Sequence, residues 1–193
     1  MQFSEEFWNN KYKKNKTGWD LGEISSPLKA YFDQLTDKSA LILIPGGGNS
    51  YEAEYLHEKG FTNVFVVDIA IEAIMNIKDR IPSFPETHLL HNNFFNITGQ
   101  FDIIIEQTFF CALDPELRKD YVRQMHKLLK PRGKLVGLYF DAELNNDHPP
   151  FGGSFDEYKQ LFEPAFTIKT LNDCYNSSPG RQGMELFAIY EKA

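Results

Sequence analysis

Four aliphatic runs constrain this chain more than any other feature: ALILI at 40–44, NVFVVD at 63–68, FDIIIE at 101–106 and KLVGLY at 134–139. A strand with one wet face alternates apolar and polar residues. These runs do not, so both of their faces must be covered. A stretch of helical character follows each of them. Asn49, with Glu52 three positions later, caps a helix over 51–59. An amphipathic helix spans 71–80. Asp114-Pro115-Glu116 opens a helix that runs to about Lys130, where Pro131 and Gly133 stop it. Ser154 and Glu157 form a capping box for a helix through Phe162. Strand–helix alternation of this kind predicts an α/β fold, a doubly wound and mostly parallel sheet with helices on both faces. A short strand at 87–90 adds to it. The tail offers strands at 166–171 and 185–191 with no helix between them, hence a C-terminal antiparallel hairpin and seven strands in all. Ahead of the sheet, Ser4 caps a short helix carrying Phe7, Trp8 and Tyr12, and Pro27 opens a second through Leu35. The reading is of one domain over 1–193, with 1–36 a helical lid segment and 37–193 the core.

Ligands of such a sheet bind beyond the carboxyl ends of the strands. There the first strand runs into Pro45-Gly46-Gly47-Gly48 just before a helix. Glycine costs backbone entropy and adds no side chain, so it belongs where φ is positive or where something approaches the backbone closely. Twenty residues past Gly48, Asp68 ends the second strand. A carboxylate there can accept two hydrogen bonds from a ribose diol. The layout is that of an adenosine-binding α/β domain; the alternative is a tight turn and an acidic helix cap. A dinucleotide fingerprint would need a third glycine at position 51, which is Tyr51. Its ring would crowd a pyrophosphate. An adenosine ligand without phosphates fits better, which points to S-adenosylmethionine.

IPGGGNSYEAEYL and VVDIA resemble the first two motifs of class I S-adenosylmethionine-dependent methyltransferases. FDIIIEQTFFCALDPELRKDYVRQMHKLLKPRGKLVGLYF resembles the thiopurine S-methyltransferase superfamily, and within it the plant halide/thiol methyltransferase branch. GWDLG, DHPPFGGS and GRQGMELFAIYEK are similar to that family's amino-terminal element, its substrate loop and its carboxy-terminal strand. The resemblance implies a Rossmann-like methyltransferase fold, S-adenosylmethionine as cofactor and S-adenosylhomocysteine as product. It places Gly46 and Gly48, with the backbone of Pro45–Asn49 and thus Gly47, on the methionine side of the cofactor. Asp68 would hold the ribose hydroxyls, Ile69 would pack on the adenine, and Asn93 with Phe94 would stand at its edge. Glu106 would face the cofactor's amino group, and Trp19 would close over it. Two departures stand out. Gly47 replaces a usual cysteine, read as a packing residue, and Asn93 replaces an acidic residue.

Methyl transfer from a sulfonium is an in-line displacement, so the protein's part is alignment and exclusion of water. Aromatic faces stabilise the sulfonium by about 0.5–2 kcal/mol each. Trp8, Trp19, Phe109, Phe110, Tyr139 and Phe151 stand in the right loops for a substrate pocket or for core packing, and Phe151 falls in the substrate loop by resemblance. Tyr139, at a strand end, could donate its hydroxyl to an incoming anion. A neutral thiol would need a base, and Asp141 and His148 lie in the loop after the fifth strand. His148 suits by its ordinary pKa; it is equally readable as an exposed loop residue. Arg181 matches a basic position of the family, to attract an anion or simply to sit solvated at the surface. Cys111 is read as packing and Cys174 as a surface residue. The histidines show no metal spacing, and no metal is expected.

The leading expectation is methyl transfer to a small soft nucleophile: a thiol, thiopurine, halide or bisulfide. Alternatives are a metalloid oxyanion or an oxygen or nitrogen acceptor, or a cofactor-binding protein without turnover. Binding of NADH would revive a nicotinamide oxidoreductase. A net charge of -7 gives no general attraction for nucleic acid or anionic membrane. Two cysteines make no disulfide scaffold, and the start MQFSEEFW lacks the pattern of a secretory signal. No apolar run reaches membrane-spanning length. A cytoplasmic monomer or weak homodimer acting on a small molecule is the resulting expectation.

Overall fold

The computed structural model describes residues 3–193. Among the described residues, seven strands run mostly parallel and end in an antiparallel hairpin. The chain divides into two compact units, Met1–Ile97 and Thr98–Ala193. Among the described residues, no helix is long and apolar enough to cross a membrane.

In the first unit, β1 (Ile42–Pro45), β2 (Val64–Asp68) and β3 (Leu89–His91) run parallel in the order β3-β2-β1. Every residue of β1 is buried, as a continuous aliphatic run requires. Helices α3 (Tyr51–Glu58) and α4 (Ile71–Arg80) lie against β2; α1 (Glu5–Lys13) lies against α4 and α2 (Ser26–Phe32) against α3. Ser4 caps α1, its Oγ accepting from the Phe7 amide at 3.4 Å. The expected capping box at 49–52 does not form. Ser50 is the residue before α3, in the left-handed region at φ 46°, and its hydroxyl does not cap the helix. Asn49 is drawn elsewhere: its amide nitrogen donates to Asp20 and its side-chain oxygen accepts from Asn76 at 3.0 Å.

In the second unit the order is β4-β5-β7-β6, with β4 (Phe101–Gln107) parallel to β5 (Leu129–Phe140), and β7 (Glu185–Glu191) antiparallel to both β5 and β6 (Thr167–Asp173). Asp114 caps a single 3-10 turn, Pro115–Leu117, and α5 (Arg118–Leu128) follows it. That helix ends two residues before the expected stop. Lys130 precedes Pro131 and so avoids the helical region, and Leu129 already pairs with Phe101. Ser154 caps α6 (Phe155–Phe162) by accepting from the Glu157 amide at 3.3 Å. The capping box is only half formed, because the Glu157 carboxylate is held by Arg118. Rings fill the core of this unit: Phe162 and Tyr190 stack with centroids 4.2 Å apart, and Phe110, Tyr121, Tyr139 and Tyr158 meet edge-on or tilted around them. Cys174 is buried at 6% exposure, against the expectation of a surface residue, because its loop folds back and its amide donates to the Glu185 carbonyl at 2.8 Å.

Candidate active site

In the first unit the glycine loop and Asp68 are one hydrogen-bonded structure. Gly46 and Gly48 take φ of 56° and 57°, a conformation that L side chains resist. Gly47 is needed for a different reason. A Cβ there would lie 2.5 Å from Val66 Cγ1, so β2 already fills the space that a side chain would use. The Gly48 amide donates to Asp68 Oδ2 at 2.9 Å, and the Ala70 amide donates to Oδ1 at 2.7 Å. Burial pushes the Asp68 carboxyl above its ordinary range, while these two amides oppose that rise. A carboxylate has about four acceptor positions. The Ile69 amide is also directed at the carboxyl, so about one position is left open for a ribose hydroxyl.

Three aromatic residues gather at the same loop. A Cβ on Gly48 would stand 2.8 Å from Tyr12 Oη and 4.0 Å from Trp19 Nε1. Trp19 meets Trp8 at 5.5 Å and Tyr12 at 5.8 Å between ring centroids, both edge-on. Trp8 and Trp19 are thus brought together at the glycines. Tyr12 is the residue that sequence reasoning left without a role. Its signal was the spacing: it lies four positions after Trp8 on α1, on the same helix face. Pro45 is buried at the end of β1, Asn49 is tied to Asp20 and Asn76, and Ile69 is half-buried with its carbonyl 3.1 Å from His91 Nε2. Asn93 caps the 3-10 turn Phe94–Asn96, its Oδ1 accepting from the Phe95 amide at 2.9 Å, and Phe94 is buried.

The second unit holds a buried acidic centre. Glu106 has no exposed surface. Its Oε1 accepts from the amides of Phe109 at 2.8 Å and Phe110 at 2.9 Å, and its Oε2 accepts from the Tyr121 hydroxyl at 2.5 Å. Burial raises its carboxyl to about 7, against the three donors that favour the charged form. Tyr121 Oη is also 3.4 Å from Tyr139 Oη. Tyr121 was missed from the sequence, where it reads only as an apolar-face residue of α5. A small cavity opens beside this centre, lined among others by Glu106, Cys111, Tyr139, Tyr158 and Glu185. Phe110 also lines it; Phe109 is half-buried, 6.0 Å from the Tyr121 ring. Phe151 is buried and its amide donates to the Cys111 carbonyl at 2.7 Å. Cys111 is buried too, and its thiol is pushed up to about 12, chiefly by burial.

Asp141 and His148 do not line the cavity. Asp141 accepts from the Phe155 amide at 3.0 Å, at the start of α6. The His148 side chain is 58% exposed, with Nδ1 3.0 Å from the Pro149 carbonyl oxygen. Arg181 is not the solvated surface residue that was one reading of it. It is 8% exposed, lies 3.3 Å from Glu185 Oε1 and sits over the Phe140 ring at 5.6 Å. Among the described residues, no group of three or more His, Cys, Asp or Glu side chains could hold a metal ion.

Comparisons with known proteins fit this geometry. The family model for thiopurine S-methyltransferase matches residues 3–192. "Probable thiol methyltransferase 2" of Arabidopsis thaliana is 27% identical over 192 residues, covering 96% of this chain and 84% of that protein. A thiopurine S-methyltransferase of Acinetobacter baylyi is 25% identical, covering 87% of this chain and 88% of that one. Among solved structures, the 1,6-didemethyltoxoflavin-N1-methyltransferase of Burkholderia thailandensis, with 1,6-didemethyltoxoflavin and S-adenosylhomocysteine bound, shares the fold. Its TM-score is 0.79 at 17% identity, over 98% of this chain and 87% of that one. The strand order, the glycine loop with its aspartate and a match along nearly the whole length agree: this chain belongs to the thiopurine S-methyltransferase family.

Proposed function

We propose that this protein transfers the methyl group of S-adenosylmethionine to a small soft nucleophile, with a thiol as the leading acceptor. The observation that carries the reading is the joining of Gly48 to Asp68 in a chain of this family. The cofactor supplies an activated methyl on a sulfonium; the chain supplies position and dryness. Asp68, at the end of β2 beside the glycine loop, takes the ribose hydroxyls. The backbone of Pro45–Asn49 receives the methionine portion, Ile69 packs on the adenine, and Asn93 and Phe94 stand at its edge. Trp8, Tyr12 and Trp19 cover the glycine loop and exclude water. Their faces favour a cation by about 0.5–2 kcal/mol each. Water exclusion also favours a displacement in which charge is annihilated. In the second unit the acceptor's reacting atom approaches the small cavity beside Tyr139, with Phe109, Phe110 and Phe151 shaping its surroundings. Asp141 holds the Phe155 amide at the start of α6, and Arg181 balances Glu185.

The test is calorimetric titration with S-adenosylhomocysteine, followed by an assay of its release across bisulfide, iodide, thiocyanate, a thiophenol and a thiopurine. Tight binding and turnover with at least one acceptor are expected. Asp68→Asn should weaken binding at least tenfold. Near-normal binding by that variant would sink the ribose assignment, and binding without turnover would leave a cofactor-binding protein.

A further inference from the structure

We infer that Glu106, Tyr121 and Tyr139 form a proton relay that deprotonates a neutral thiol acceptor, with Glu106 as the terminal proton acceptor. The inference rests on the proposed methyl transfer and gives it a proton path. Direction follows from the hydrogen bonds. Tyr121 spends its proton on Glu106 Oε2 at 2.5 Å. In the contact between the two hydroxyls, at 3.4 Å, Tyr139 must then be the donor. That leaves the oxygen of Tyr139, a residue lining the cavity, able to accept a proton from an S–H group.

The step balances. The thiol S–H bond breaks and its proton goes to Tyr139 Oη. The proton of Tyr139 passes to Tyr121 Oη, and that of Tyr121 to Glu106 Oε2. Both tyrosines end neutral and Glu106 ends as a carboxylic acid. The freed sulfur pair forms the bond to the transferred methyl, and the pair of the old carbon–sulfur bond returns to the donor sulfur. When the product leaves, the proton returns by the same path.

The neighbouring groups are poor substitutes. From α5 come Tyr121 and Arg118, from β5 Tyr139, from α6 Tyr158, from the loop after β4 Cys111, and from β7 Glu185 with Arg181 beside it. Burial lifts the three tyrosines and Cys111 far above neutrality, and Glu185 is paired with Arg181. Glu106 alone of these is set near neutral pH. This role differs from the contact with the cofactor's amino group that the family resemblance implies. Three donors from its own unit hold the carboxylate and leave about one acceptor position.

The experiment compares an alkanethiol with thiocyanate, which is ionised throughout the assay range and needs no base. Wild type, Tyr121→Phe and Glu106→Gln are each assayed with both. The thiol-to-thiocyanate ratio of kcat should fall by about a hundredfold in either variant, the scale of a lost general base. A second readout needs no turnover. Infrared titration of wild type should show a carboxylic-acid band with a midpoint near 7. Glu106→Gln should lack that band, and Tyr121→Phe should move it to higher pH because a donor to the carboxylate is gone. An unchanged ratio in Tyr121→Phe, or a band titrating in the ordinary carboxylate range, overturns the relay while leaving methyl transfer standing. Wild type that methylates thiocyanate but no thiol overturns the relay alone; wild type that methylates neither of these nor bisulfide, iodide, a thiophenol or a thiopurine sinks the methyltransferase reading, and the relay falls with it.

Discussion

Glu106 should make the stability of this protein depend on pH in a way that one substitution removes. Its carboxyl is raised from 4.5 to about 7 in the folded chain. Between those values the folded state holds a proton that the unfolded state has released. The stability that Glu106 contributes is therefore fully present below pH 4.5 and is lost as pH rises through 7. Each pH unit in that window is worth about 1.4 kcal/mol, so the loss comes to about 3 kcal/mol. No solvent screens the group, since it has no exposed surface. Glu106→Gln keeps an oxygen for the Phe109 and Phe110 amides and removes the ionisation. Urea unfolding of both proteins, without ligand, at steps from pH 5 to pH 8 is the assay. Circular dichroism is the better probe, because Trp8 and Trp19 both lie in the first unit and their fluorescence would report the other half. The stability of the variant relative to wild type should climb by about 2.5 kcal/mol from pH 5 to pH 8. Asp68, also raised, is common to both proteins and drops out of the difference. A difference that stays flat from pH 5 to pH 8 would refute the account of Glu106 as a buried acid near neutrality.

Two further outcomes are expected. Gly47→Ala forces a methyl against Val66 Cγ1, and Val66→Ala empties that space; each alone should cost about 1–3 kcal/mol in chemical denaturation. The double variant should cost less than the sum by more than about 0.5 kcal/mol, and strict additivity would show that the two positions do not share that volume. Trp19→Ala should lower kcat/KM about tenfold with every acceptor, because it uncovers the glycine loop and removes a cation-stabilising ring; unchanged kinetics would deny it a lid role.

Much of this was legible in the amino-acid sequence because it is local. Period and caps located α4, α6 and β7 to the residue, and the run of glycines before a helix located the loop. What escaped depends on partners far along the chain. Asn49 reads as a cap, but Asp20 takes its side chain from 29 positions away. The start of β5 is set by pairing with Phe101, which pulls Leu129 out of the preceding helix. Periodicity puts Tyr121 on the buried face of α5, yet nothing in the chain says that the end of β4 waits there. Arg181 reads as a surface residue because its burial comes from Glu185 and the Phe140 ring, which meet only once β5 and β7 pair. The residues that carry the proposed chemistry are thus of two kinds. Asp68 and the glycines announce themselves by spacing, whereas Tyr12 and Tyr121 become visible only through what they touch.

The position of β7 has a consequence for how the protein is made. This strand, at residues 185–191, lies inside the sheet, bonded to β5 on one side and β6 on the other. On the ribosome, β5 and β6 are both synthesised first and have no common partner until those residues emerge. Each then presents an open edge, the kind of surface on which nascent chains join one another. The second unit therefore cannot complete its sheet until residues 185–191 have emerged, and a chain cut short before them would carry a sheet with a missing middle.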